Sequence, residues 1–240
     1  MSHPGLNVNA VLPIVLVPGL LCSDEVWAPQ QSALWPHTSV QIASTLQGRS
    51  MAQIARAILD SAPDRFQLAG ISMGGYVCFE ILRQAPERVD RLALLDTSAR
   101  ADTAEQSDGR RALLESARDG DYLDVAVAGL TAVLHPDHQA DPGLRAINER
   151  MARSVGLSGF ATQTAAIIDR PDSRADLPAI AVPTLVLVGA EDALTPPALA
   201  EEIAAGIPTA ELAIIPESGH ASTLEQPESV SARLVDWFTS

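Results

Sequence analysis

The chain has no lysine: all 16 basic side chains among its 240 residues are arginine, set against 30 Asp and Glu for a formal net charge of −14. That absence removes lysine-dependent phosphate loops, Schiff-base chemistry and lysine general bases. The acidic balance argues against nucleic acid or any other polyanionic partner. Cysteine is scarce too. Cys22 and Cys78 cannot build a disulfide framework, and they fit reduced thiols in a cytoplasmic protein. No apolar run approaches the length of a membrane span, so no membrane partner is expected. The stretch from Ala10 to Cys22 is interrupted by two prolines and no Lys or Arg precedes Arg49, so it is expected to be a strand and the loop after it rather than a secretory signal.

What is present is an alternation of apolar strands and helices. Ile14 to Val17, Ser39 to Ala43, Phe66 to Ala69, Leu92 to Leu95, Thr184 to Val188 and Glu211 to Ile215 read as strands. Asp24 to Trp35, Met51 to Ala62, Tyr76 to Ala85 and Pro227 to Phe238 read as helices, with Trp27 and Trp35 packing the first of them onto the sheet. Such alternation predicts an α/β fold, a mostly parallel sheet of six to seven strands with helices on both faces. Between Asp96 and Thr184 the pattern turns helical, at Arg110 to Arg118, Tyr122 to Leu134, Leu144 to Ser154 and Leu157 to Ile168. A single domain with a helical cap inserted at about 100–178 follows. The length suits one such domain, and the sequence leaves the oligomeric state open.

The chemistry is concentrated at strand ends. Gly70-Ile71-Ser72-Met73-Gly74-Gly75 joins a strand directly to a helix, the context in which G-x-S-x-G marks a nucleophilic serine. Turning a strand into a helix around one residue strains its backbone, and Gly70 and Gly74 remove the neighbouring β-carbons that would clash. Asp192 follows the strand at Thr184 to Val188, and His220 follows the strand at Glu211 to Ile215. The order Ser, Asp, His, with gaps of 120 residues (192 minus 72) and 28 (220 minus 192), separates this arrangement from the chymotrypsin and subtilisin orders. Asp96 also ends a strand and is the second candidate for the acid. His135 and His138 flank Pro136-Asp137 and read as a polar loop rather than metal ligands. Cys22 reads as a small apolar filler of the pocket.

These segments, with Leu16-Val17-Pro18-Gly19-Leu20, Pro86-Glu87-Arg88-Val89 and Gly219-His220 before Leu224-Glu225-Gln226-Pro227-Glu228, resemble the α/β-hydrolase superfamily along nearly the whole chain. Small bacterial esterases and the 3-oxoadipate enol-lactonase group are the most similar in pattern. The chain departs from the family in carrying Pro18-Gly19 where His-Gly is usual. The resemblance implies a serine hydrolase acting on a small-molecule acyl substrate by a Ser72-His220-Asp192 triad, with the backbone amides of Met73 and Leu20 as oxyanion donors and Leu21 as the neighbouring option. Such chemistry needs no cofactor and no metal. Members that use an aspartate nucleophile are excluded by Ser72. Carboxylic ester or lactone hydrolysis is the leading expectation; carbon–carbon bond hydrolysis of β-diketone-like substrates and a ligand receptor on the same fold are the alternatives. Only Tyr122 and Phe160 are aromatic within the presumed cap, so the pocket is expected to be small and aliphatic.

Overall fold

A computed structural model of the protein describes residues 11–240; Ala10, where the apolar stretch begins, lies outside the described residues. Six strands form one sheet: β1 (Ile14–Val17), β2 (Val40–Ile42), β3 (Phe66–Ile71), β4 (Val89–Leu95), β5 (Thr184–Gly189) and β6 (Ala210–Ile215). Their order is β2-β1-β3-β4-β5-β6, and every pairing is parallel. Parallel strands need both faces covered, and the side chains divide accordingly. Val15, Val17, Leu68, Leu92, Leu94, Val186 and Val188 enter one core, whereas Ile14, Leu16, Ala69, Ala93, Leu95, Leu185 and Leu187 enter the other. This is the two-residue period of a strand.

Against the first face pack α2 (Met51–Ser61), α3 (Met73–Gln84) and α7 (Pro197–Gly206); against the second pack α1 (Ala28–Leu34) and α9 (Pro227–Thr239). The cause is legible in α2. Ser50 caps it by accepting the Gln53 N–H at 3.3 Å, and Met51, Ile54, Ala55, Ile58 and Leu59 form one buried stripe. Asp24 to Trp35 is not one helix. It begins as a 3₁₀ turn over Asp24–Trp27, because Pro29 lacks the N–H that an α-helix would direct to Glu25, and Ala28 donates to the Glu25 carbonyl instead. Trp27 is fully buried, but Trp35, also expected to pack on the sheet, is 64% exposed just past the end of α1.

Between β4 and β5 the chain forms α4 (Ala104–Asp119), α5 (Tyr122–Ala132) and α6 (Pro142–Ile168), with no strand. Helix α4 starts earlier than the apolar pattern indicates. Thr103 accepts the Gln106 N–H at 3.2 Å while the Gln106 side chain accepts the Thr103 N–H at 2.8 Å, a reciprocal cap. Gly156, at φ 65° and ψ 166°, breaks α6 between the two helices read from the sequence. Tyr122 and Phe160 meet each other, ring centroids 6.3 Å apart, in a small core of these helices. A short helix, α8 (Ser222–Glu225), precedes α9. Among the described residues no helix is long and apolar enough to cross a membrane.

Candidate active site

The strand order reverses between β1 and β3, and in open parallel sheets ligands bind beyond the carboxyl ends of the strands at such a point. Ser72 stands there, directly after β3 and before α3, at φ 55° and ψ −119°. The surroundings over-determine this strained backbone. The Ser72 N–H donates to the Leu95 carbonyl at 2.9 Å, and the Ser72 carbonyl accepts from the Thr97 hydroxyl at 2.7 Å and the Gly75 N–H at 2.9 Å. A β-carbon on Gly74 would lie 2.1 Å from the Val17 carbonyl oxygen, and one on Gly70 would lie 2.4 Å from that of Gly74. Both positions therefore require glycine.

Ser72 Oγ donates to His220 Nε2 at 2.8 Å, and His220 Nδ1 donates to Asp192 Oδ2 at 2.8 Å. The tautomer is set by the carboxylate on the far side of the ring. Asp192, in the loop after β5, is held by donors on both oxygens: Leu194 and Thr195 amides at 2.9 Å each on Oδ1, and the Thr195 hydroxyl at 2.7 Å on Oδ2. Burial opposes its ionisation, but His220 and these donors outweigh burial and hold the carboxyl below its ordinary value. Burial likewise opposes charge on His220, yet Asp192 prevails and raises the imidazole above its usual value. The structure thus brings Ser72, Asp192 and His220 together across β3, β5 and β6.

Asp96 makes no hydrogen bond to His220. At φ 45° and fully buried, it accepts the Gly189 N–H at 2.9 Å and both the N–H and hydroxyl of Ser222, tying the end of β4 to β5 and to α8. Burial first, and the nearby Asp192 charge second, push its carboxyl up to about 7.

Among the described residues the amides of Met73 and Leu20 have no hydrogen-bond partner, whereas the Leu21 N–H donates to Gln163 Oε1 at 3.1 Å. Of the two amides considered after Gly19, only that of Leu20 is free. Leu21 takes φ 60°, and buried Gln163 from α6 also donates to Thr45 Oγ1 at 2.9 Å, bracing this loop. Gln163 is marked by no motif, whereas Thr195 opens the Thr195-Pro196-Pro197 stretch of the Asp192 loop and, three residues after Asp192, follows the spacing of an Asp-capped turn.

Ser72 and His220 line a cavity of about 200 Å³ whose wall is mainly Leu, Ile and Val. Cys22 lines it too, but burial pushes that thiol up to about 12, which removes the thiolate a nucleophile needs. His135 and His138 are engaged elsewhere. His138 Nδ1 lies 2.9 Å from Glu225 Oε2, and His135 Nδ1 accepts the Asp137 N–H at 3.2 Å.

A family model described as alpha/beta hydrolase fold matches residues 37–227. The chain belongs to the α/β-hydrolase fold family. An esterase from Thermogutta terrifontis shares this hydrolase fold at a TM-score of 0.83, with 30% identity over 94% of this chain and 89% of that one. The enol-lactonase from Burkholderia xenovorans LB400 superposes at a TM-score of 0.86, with 27% identity over 98% of this chain and 94% of its own. A protein of Mycobacterium tuberculosis bearing a non-heme bromoperoxidase name is 30% identical over 203 residues, 76% of this chain and 70% of that protein.

Proposed function

We propose that this α/β-hydrolase cleaves a carboxylic ester or lactone through an acyl-enzyme on Ser72. The observation that carries the reading is the continuous relay at the cavity wall, Ser72 Oγ to His220 Nε2 and His220 Nδ1 to Asp192, each link 2.8 Å. Ser72 Oγ attacks the acyl carbon while His220 takes its proton, and Asp192 stabilises the imidazolium. His220 then gives that proton to the departing alkoxide, which leaves as the alcohol of an ester or stays tethered to the acyl group as the hydroxyl of an opened lactone. Water, losing a proton to His220, adds to the acyl carbon, and the same proton returns to Ser72 as the acid departs. The amides of Met73 and Leu20 meet the negative charge on the carbonyl oxygen; one such donor is worth about 2.7–4 kcal/mol in comparable sites.

On this reading helices α4 to α6 form the cap over the pocket, and a small, mainly aliphatic cavity favours short acyl chains. The thiols of Cys22 and Cys78, both unpaired, support a reducing, cytoplasmic setting. The test is a side-by-side panel of p-nitrophenyl esters, lactones and β-diketones. Steady turnover of esters or lactones supports the reading. Faster turnover of β-diketones transfers it to carbon–carbon cleavage, and tight binding without turnover transfers it to a receptor.

A further inference from the structure

Besides Ser72, His220, Cys22 and Tyr76, two polar side chains interrupt the apolar cavity wall, and both come from the helical segment: Arg110 on α4 and Asn148 on α6. Asn148 is 2% exposed, its Nδ2 is buried without a partner, and its side chain makes no hydrogen bond among the described residues. A buried amide left unpaired is costly, and native proteins retain one chiefly where something else completes it.

Arg110 is also incompletely neutralised. Its Nε and the Nη1 of Arg170 each reach the single carboxylate of Asp102 at 2.7 Å, so two guanidinium groups share one negative charge. The Asp102 side chain is fully buried and that of Arg170 only 5% exposed, so of the three groups solvent reaches only Arg110, at 22% exposure. Arg110 Nη1 has no hydrogen-bond partner among the described residues. In a chain of net charge −14, no Asp or Glu lines this cavity, and its one permanent charge is positive.

We propose that Arg110 and Asn148 form a subsite for an anionic oxygen group, a carboxylate in the simplest case, carried by the substrate away from the bond that is cleaved. One carboxylate accepts from the free guanidinium N–H and, once the Asn148 amide turns its Nδ2 into the cavity, from that amide as well. A purely alkyl substituent leaves both donors dry and unpaired, which a site built for hydrogen bonding penalises. The subsite rests on the reading of Ser72 as the nucleophile.

The test compares matched methyl esters in a pH-stat: monomethyl esters of four- to six-carbon dicarboxylic acids, and neutral partners in which an isopropyl end replaces the carboxylate. In the wild-type enzyme kcat/KM for the charged member is expected to exceed that of its partner about tenfold or more. Arg110→Met and Asn148→Leu are each expected to lower that ratio about tenfold, and added salt to lower it in the wild type. A wild-type ratio of one or below overturns the subsite, as does a ratio that neither substitution changes. The wild-type ratio and the Asn148→Leu variant keep the test decisive if Arg110→Met fails to fold. Hydrolysis of p-nitrophenyl butyrate and labelling of Ser72 by a fluorophosphonate run in parallel. If both fail, the hydrolase reading falls and takes the subsite with it; if both succeed while the ratio is one or below, the subsite alone is wrong.

Discussion

At the carboxyl edge of the sheet, Asp192 carries donors on both oxygens, His220 is engaged through both ring nitrogens, and Gly70 and Gly74 close the backbone around Ser72 too tightly for a β-carbon. Along α4 to α6 the same cavity is walled by aliphatic side chains, with a buried amide unpaired at Asn148 and no atom within 4 Å of a β-carbon added at Gly109 or Gly129. The first region is fixed by mutual hydrogen bonding before any substrate arrives. The second has room and unmet polar groups. Within one pocket, the reacting groups are held by rigid loops of the sheet, and the fit to substrate is left to helices that tolerate change.

The largest effect that sharpens this contrast is at Ser72. Ser72→Ala is expected to lower ester kcat by about 10⁴-fold or more while moving the melting temperature by only about 1 °C, measured by stopped assay and calorimetry. Near-normal turnover would remove the edge from the chemistry. Asp192→Asn comes next, with a loss in kcat of about 10⁴-fold through the wrong imidazole tautomer. It also shifts the pH profile. Because Asp192 raises His220, wild-type kcat/KM falls as pH drops through that raised value, and the residual activity of the variant is expected to fall at lower pH.

Asp96→Asn is expected to cost less than about tenfold in kcat, since Asp96 makes no hydrogen bond to the imidazole; a loss matching that of Asp192→Asn would move the acid to the end of β4. Its signature is in stability. A folded-state value of about 7, above the ordinary carboxyl, means that stability is greatest below the unfolded value and is lost as pH rises through about 7. The urea midpoint of the wild type is therefore expected to decline between about pH 5 and about pH 8 more steeply than that of Asp96→Asn. Equal slopes would show that Asp96 is ionised throughout.

The two regions are also separable by glycine. Gly74→Ala drives a β-carbon to 2.1 Å from the Val17 carbonyl and is expected to destabilise by about 3 kcal/mol or more. Gly109→Ala, mid-helix in α4 and facing open space, is expected to stabilise by about 0.5–1 kcal/mol. Thermal unfolding of the pair measures both, and similar losses at the two sites would abolish the distinction.

The sequence is most readable where covalent geometry leaves few choices. Apolar runs locate all six strands, and the glycines around Ser72 locate the turn because only a residue without a β-carbon passes between β1, β3 and α3. Asp192 and His220 follow from lying just beyond strand ends. The helical wall is less readable, since its contacts come from residues far apart in the chain. Gln163 meets Leu21 across 142 positions, and nothing around Gln163 marks it as the brace of that loop. Asn148 and Arg110 look like ordinary helix surface until the fold turns them toward a cavity. The exposure of Trp35 is of the same kind, because an apolar residue at a helix end carries no sign of which way the chain leaves. The start of α4 was available in the sequence through Thr103 and Gln106, whose capping spacing outweighs the polar composition of its first turns.

The most direct test of the central claim is to trap the covalent intermediate. Wild-type protein treated with a fluorophosphonate, and in a separate quench with p-nitrophenyl butyrate, is digested and mapped by mass spectrometry. A single adduct on the peptide containing Ser72, absent in Ser72→Ala and formed far more slowly in His220→Ala, is the expected result. Rapid ester hydrolysis with Ser72 unmodified, or with the acyl group on another residue, would contradict it.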